Sequence, residues 1–272
     1  MTPSAPPVRL FCIPYSGASA AIYARWSFLV PDAIAIHPVE LPGRGTRADE
    51  PFAVDPHHLA EALAKELADL HRLADPAVPY ALFGHSLGAL VAYELAHALI
   101  RRGAAPPRLL VASGTSAPAM RDDRAWRRPR SDTELIADLR AMGGTPEEVI
   151  ASPELMEMVL PVLRADFLMC GAYAFRPRPP LPCPIRVLGG EQDDVPGEAL
   201  EGWRRETATG FGLSLFPGGH FFIQAHQGAV LDRISRDLIA CDLAGHILPE
   251  AHPDGPCGRK PGIVQAAACA AS

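Results

Sequence analysis

Gly84-His85-Ser86-Leu87-Gly88 stands between a buried-strand run, residues 80–83, and a stretch of helical composition, residues 89–101, that stops at Gly103. A G-x-S-x-G pentapeptide in that setting is a nucleophile elbow: its glycines permit a sharp, strained turn that lifts a serine oxygen clear of a sheet. Three fixed positions alone recur by chance in ~one chain of this length in ten. The strand before and the helix after them therefore carry the weight.

The rest of the chain repeats this alternation. Residues 8–13 and 34–41 read as strands closed by Pro14 and by Pro42-Gly43-Arg44-Gly45. Asp55 and Pro56 start a helix whose Leu59, Leu63, Leu67 and Leu70 share one face. Residues 109–112, 185–189 and 213–216 supply further strands, 197–207 a helix, and 224–243 a closing helix. Such spacing predicts a mainly parallel sheet with helices on both faces. Between residues 115 and 182 the alternation stops. Three helix starts appear there, at Ser131, at Thr145-Pro146-Glu147-Glu148 and at Ser152-Pro153, the first two as capping boxes. A helical block at this position is expected to form a lid. The reading is one domain over 1–245 and a disordered C-terminal tail over 246–272, where Pro, Gly and Ala lack periodicity.

A serine needs a base within reach and an acid to orient that base. His220, in Pro217-Gly218-Gly219-His220 after the last strand, is the expected base; His226 falls inside the closing helix. Gly189-Gly190-Glu191-Gln192-Asp193-Asp194 follows the preceding strand, so Asp193 is preferred as the acid over Asp194, giving the Ser, Asp, His order of α/β-hydrolases. An oxyanion hole takes two backbone N–H groups. Leu87, after the serine, and Ser16, in the loop after the first strand, are the expected donors.

Other chemistries find less support. A net charge of −6 opposes a general nucleic-acid binder, and no apolar run approaches the ~18 residues of a membrane span. Six cysteines (Cys12, Cys170, Cys183, Cys241, Cys257 and Cys269) show no C-x-x-C spacing, so neither a zinc site nor a disulfide framework is expected. No signal-peptide pattern opens the sequence, which makes the cytoplasm the expected location.

Several longer motifs are similar to those of the free-standing type II thioesterases that accompany polyketide synthases and nonribosomal peptide synthetases. They are residues 10–17 (LFCIPYSG), 41–45 (LPGRG), 83–88 (FGHSLG), 139–149 (LRAMGGTPEEV), 163–167 (LRADF) and 218–222 (GGHFF). The likeness runs from about Arg9 to Leu243. It implies an α/β-hydrolase fold, a Ser86-Asp193-His220 triad, oxyanion donors at Ser16 and Leu87, and hydrolysis of acyl groups stalled on the phosphopantetheine arm of a carrier protein. It implies no metal or cofactor of the enzyme's own, acyl or peptidyl carrier domains as partners, neither nucleic acid nor membrane, and a monomer. A small-molecule carboxylesterase or lipase with the same triad is the alternative. Terminal thioesterases integrated in synthases commonly carry the acid after the strand that follows the elbow helix; here that place reads Ser113-Gly114-Thr115. Met156, Val159, Leu160, Leu163, Phe167 and Met169 form an apolar stripe that either lines the acyl site or simply packs. Residues 121–130 hold five arginines and two aspartates, either a solvated loop or a surface that steers an acidic carrier.

Overall fold

The computed structural model describes residues 6–71, 73, 75 and 79–244. The tail expected over 246–272 lies outside the described residues. Six strands, β1 (Val8–Ile13), β2 (Ile34–Pro38), β3 (Tyr80–His85), β4 (Leu110–Ser113), β5 (Ile185–Gly190) and β6 (Phe211–Phe216), form one sheet in the order β2-β1-β3-β4-β5-β6. Every neighbouring pair is parallel.

Strands β3, β4 and β5 are buried at every position and mostly apolar because both faces of the sheet are covered; the buried exceptions are His85, Ser113 and Arg186, the last paired with Asp237. Successive side chains point to opposite faces. Phe11, Ile13, Leu82, Leu110 and Val187 join one core with Leu59 and Leu63 of α1 (Pro56–His71) and Leu90 and Leu95 of α2 (Leu87–Arg101). Leu10, Cys12, Ala81, Phe83 and Val111 join the other. There they meet Tyr23, Trp26 and the Val230, Leu231, Ile234 and Leu238 face of the closing helix, Gln227–Ala244. α1 starts where expected: the Asp55 carboxylate accepts the N–H groups of His57 and His58 at 2.8 and 3.0 Å.

Two 3-10 turns, Pro118–Met120 and Arg124–Trp126, and three α-helices, α3 (Asp132–Met142), α4 (Glu147–Ile150) and α5 (Pro153–Ala172), intervene between β4 and β5. Ser131 forms the expected capping box with Glu134, and Ser152 caps α5 through the N–H of Leu155. The box expected at Thr145 does not form. Pro146 occupies the cap position of α4 and has no side-chain acceptor to offer, so α4 is a single turn. After β5 come α6 (Gly197–Glu201), tightening into a 3-10 turn over Gly202–Glu206, and after β6 come α7 (Phe222–Ala225) and α8 (Gln227–Ala244). The closing helix expected over 224–243 is thus two helices, broken at His226, whose backbone (φ −118°, ψ 32°) leaves the helical range. No helix among the described residues is long and apolar enough to cross a membrane.

The chain leaves β1 toward one sheet edge for β2 and leaves β3 toward the other edge for β4. In an open parallel sheet the loops at the carboxyl ends of two such strands diverge, and ligands bind in the crevice between them. The loops concerned begin at Pro14 and at Ser86.

Candidate active site

Ser86 sits at φ 54°, ψ −118°, the one non-glycine residue with positive φ among those described. This is strained backbone for a residue with a Cβ. It persists because its surroundings fix it: the Ser86 N–H donates to the Ser113 carbonyl of β4 at 2.7 Å, and its carbonyl accepts the N–H of Ala89 as α2 begins. The two motif glycines are explained by contact. A Cβ on Gly84 would stand 2.0 Å from the Gly88 carbonyl oxygen, and one on Gly88 would stand 2.3 Å from the Ile13 carbonyl oxygen. The turn closes upon itself and upon β1, and only hydrogen fits at both positions.

His220 and Asp193 come from the loops after β6 and β5. A Cβ on Gly190 would meet the Gly219 and Gly218 carbonyl oxygens at 2.4 and 2.6 Å, so the two loops touch backbone to backbone. Gln192 ties them further, its N–H donating to the Gly218 carbonyl at 3.0 Å and its side-chain oxygen accepting the Gly218 N–H at 2.5 Å. Asp193 Oδ2 lies 2.9 Å from His220 Nδ1, and its carboxylate is buried. Asp194 is exposed. Because an ionised carboxylate only accepts, Nδ1 carries the proton and Nε2 is left as the acceptor. His226, the rival histidine, lies at the α7–α8 break.

Sequence reasoning passed over His85. It is fully buried beneath the site, with its ring 4.9 Å from that of His220 and its Nδ1 2.9 Å from Ser113 Oγ. Burial, aided by His220, pushes its pKa well down, so it packs as a neutral ring. A Cβ on Gly114 would run into that ring at 2.5 Å.

Ser16 and Ser86 line the same cavity, of about 340 Å³, together with His220. Leu87 follows Ser86 as the first residue of α2. The cavity walls are mainly apolar: Tyr15, Ile22 and Phe221 on the sheet side, and Leu139, Met142, Pro146, Val149, Val159 and Phe167 from the inserted helices. Of the stripe singled out in the sequence, only Val159 and Phe167 face this space. Met156 and Leu163 pack among the inserted helices, and Met169 enters the main core. The α3–α4 turn supplies Gly144 and Thr145, whose signal in the sequence was a capping motif and not a pocket.

Residues 121–130 are largely solvent-exposed, as a solvated loop would be, but ion pairs make them less cationic than their composition suggests. Arg121 pairs with Asp123, Arg124 with Asp122, Arg128 with Glu134 and Arg130 with Asp138. Trp126 packs on Phe167 of α5 with ring centroids 4.2 Å apart, and its carbonyl would sit 2.3 Å from a Cβ on Gly171. Glu134 and Asp138 lie on α3 just beyond residue 130, so a charge count confined to 121–130 left them out. Buried Cys12, Cys170 and Cys183 have thiols raised by burial, Cys170 and Cys183 to about 12, so none is a rival nucleophile at neutral pH.

Comparison with known proteins returns the thioesterase domain family over residues 8–238. The gramicidin S biosynthesis protein GrsT of Aneurinibacillus migulanus is 35% identical over 236 residues, covering 86% of this chain and 90% of that protein. RedJ, a thioesterase from the prodiginine biosynthetic pathway in Streptomyces coelicolor, superposes with a TM-score of 0.79 at 40% identity, over 86% of this chain and 91% of its own. The type II thioesterase BorB from the borrelidin biosynthetic cluster gives 0.75 at 35% identity, over 87% and 94%.

Proposed function

The chain belongs to the thioesterase domain family, and from that premise we propose that it is a type II thioesterase, releasing aberrant or stalled acyl groups from the phosphopantetheine arm of acyl or peptidyl carrier proteins in a polyketide or nonribosomal peptide pathway. One observation carries the chemistry. A serine on a strained elbow shares an apolar cavity with a histidine whose far nitrogen is held by a buried carboxylate.

Ser86 Oγ attacks the thioester carbonyl while His220 Nε2 accepts the hydroxyl proton, and Asp193 stabilises the imidazolium through Nδ1–H. The N–H groups of Ser16 and Leu87 receive the oxygen of the tetrahedral intermediate. Its collapse breaks the C–S bond, and the phosphopantetheine sulfur leaves with the proton from His220. Water, deprotonated by the same Nε2, then attacks the Ser86 ester; the free acid departs and Ser86 regains its proton. Each step uses groups of this chain and its substrate. The phosphopantetheine arrives with the carrier, so the enzyme needs neither metal nor cofactor of its own. The α3–α4 turn forms the part of the lid that faces the acyl chain, and the protein acts as a cytoplasmic monomer.

The experiment loads a purified carrier protein with a panel of acyl groups and follows their release by mass spectrometry, beside hydrolysis of matched aryl oxygen esters. Release from the carrier at kcat/KM above that for the free esters is the expected result. Efficient hydrolysis of free esters with the carrier left loaded would instead identify a small-molecule carboxylesterase.

A further inference from the structure

Arg44 and Asp166 are 122 residues apart, yet they form a buried two-pronged ion pair, at 2.7 Å (Nη1–Oδ2) and 2.6 Å (Nη2–Oδ1), with side chains 4% and 0% exposed. Neither side of the pair is spent on the other alone. Asp166 Oδ2 also accepts the Gly17 N–H at 2.8 Å, and Arg44 Nη1 also donates to the Ala18 carbonyl at 3.2 Å. The pair thus grips the loop after β1 at consecutive residues, once by its donor and once by its acceptor. A third grip follows at Ala20, whose N–H donates to Glu40 at 3.0 Å.

The local backbone is shaped to deliver these groups. Gly43 and Gly45 flank Arg44 with φ of 81° and 50°, and a Cβ on Gly45 would stand 2.0 Å from the Glu40 carboxylate. On α5, Leu163, Asp166 and Cys170 lie at helical spacing on one face. Leu163 would touch a Cβ on Gly17 at 3.3 Å, and Asp166 binds the Gly17 N–H. Helix α5, the longest part of the inserted block, is therefore the bed on which the loop lies.

We propose that Arg44 and Asp166 are positioning residues for the oxyanion hole: by fixing the backbone at Gly17 and Ala18 they aim the adjoining Ser16 N–H at the reacting carbonyl. This rests on the reading of Ser16 as an oxyanion donor. Neutralisation is the second part of the role. A carboxylate bound to the residue next to an oxyanion donor would repel the negative charge that develops in the transition state, and Arg44 cancels it. It follows that α5 stays seated on the loop during turnover, and that opening for the substrate belongs to α3 and α4.

The test is steady-state kinetics on a small acyl thioester, together with the rate at which an aryl phosphonate, a mimic of the tetrahedral intermediate, modifies Ser86. Losing a single oxyanion donor costs ~10²–10³ in kcat, so loosening one should cost about 10–100-fold. Asp166→Asn is expected to lower kcat by that factor, to slow phosphonylation in parallel, and to leave KM within about twofold. Arg44→Met should lower kcat further, because it strands a bare carboxylate, and adding Asp166→Asn to it should restore part of the loss. Arg44→Lys, the milder change, gives the same kcat-selective loss if Asp166→Asn does not fold. A kcat within twofold of the parent in the folded variants, or a rise in KM at unchanged kcat, would overturn the proposal. Ser16→Pro, which removes the donor itself, separates the two layers. Activity retained in folded Ser16→Pro would sink the oxyanion reading, whereas its loss with Asp166→Asn fully active would sink the positioning role alone.

Discussion

His220 Nδ1 and Asp193 Oδ2 stand 2.9 Å apart, with the carboxylate 5% and the imidazole 18% exposed. A buried acid holding a half-open imidazole fixes both the ring and its tautomer, and leaves Nε2 free to exchange protons. Asp193→Asn keeps the shape but offers the wrong hydrogen-bonding partner; kcat is expected to fall about 10⁴-fold. Asp194→Asn, at an exposed position, should leave kcat within about threefold, and steady-state kinetics on an acyl thioester checks both.

The strain at Ser86 predicts that function and stability oppose each other at this residue. A non-glycine residue at φ 54°, ψ −118° costs about 1–3 kcal/mol, and glycine relieves most of it. Ser86→Gly should therefore raise stability by about 1 kcal/mol in denaturant melts while abolishing turnover. Gly84→Ala is expected to prevent folding, since its Cβ would meet backbone at 2.0 Å, whereas Gly197→Ala, with nothing within 4 Å and no positive φ, should be tolerated.

His97 on α2 gives a dependence on pH. Burial, with Arg178 adding to it, lowers its pKa to about 4, and its ring packs on Tyr93 at 4.8 Å. Between about 4 and the ordinary histidine value of about 6.5, the unfolded chain binds a proton there that the folded chain refuses. Stability contributed by the neutral ring is therefore complete above pH 6.5 and is lost as pH falls toward 4. Buried His85, also lowered, acts in the same direction. Urea melts between pH 4 and 8 should show this decline, with a shallower slope for His97→Gln.

Pocket shape predicts selectivity. Met142, at the end of α3, lines the cavity opposite the sheet-side residues. Met142→Trp should reduce kcat/KM for long acyl chains about tenfold or more and leave acetyl-sized groups near the parent value. Competition between acyl thioesters of two lengths measures the ratio directly.

The sheet and its two helical layers were legible because 8–13, 80–83 and 109–112 are short apolar runs separated by strongly punctuated helices. Ser86 and His220 were marked by glycines that the backbone contacts at Gly84, Gly88 and Gly190 now explain. What escaped the sequence was long-range pairing. His85 looked like a variable position of the elbow, and its burial against His220 depends on loops 135 residues apart. Arg44 and Asp166 each sat in a motif, but nothing local says that they meet. The cavity wall at α3–α4 was hidden for a similar reason: Thr145 carries a capping pattern, and Pro146 took the cap position instead.

On the proposed mechanism, Ser86 takes the acyl group from a carrier-bound thioester and passes it to water. The most direct test of this is intact-protein mass spectrometry of an acyl-phosphopantetheinyl carrier incubated with the parent enzyme or with Ser86→Ala. The parent should return the carrier to its unacylated mass and release the free acid, with an acyl adduct on Ser86 at early times, while Ser86→Ala leaves the carrier loaded. Deacylation by folded Ser86→Ala at the parent rate, or a carrier that stays loaded with the parent across the acyl panel, would contradict the account.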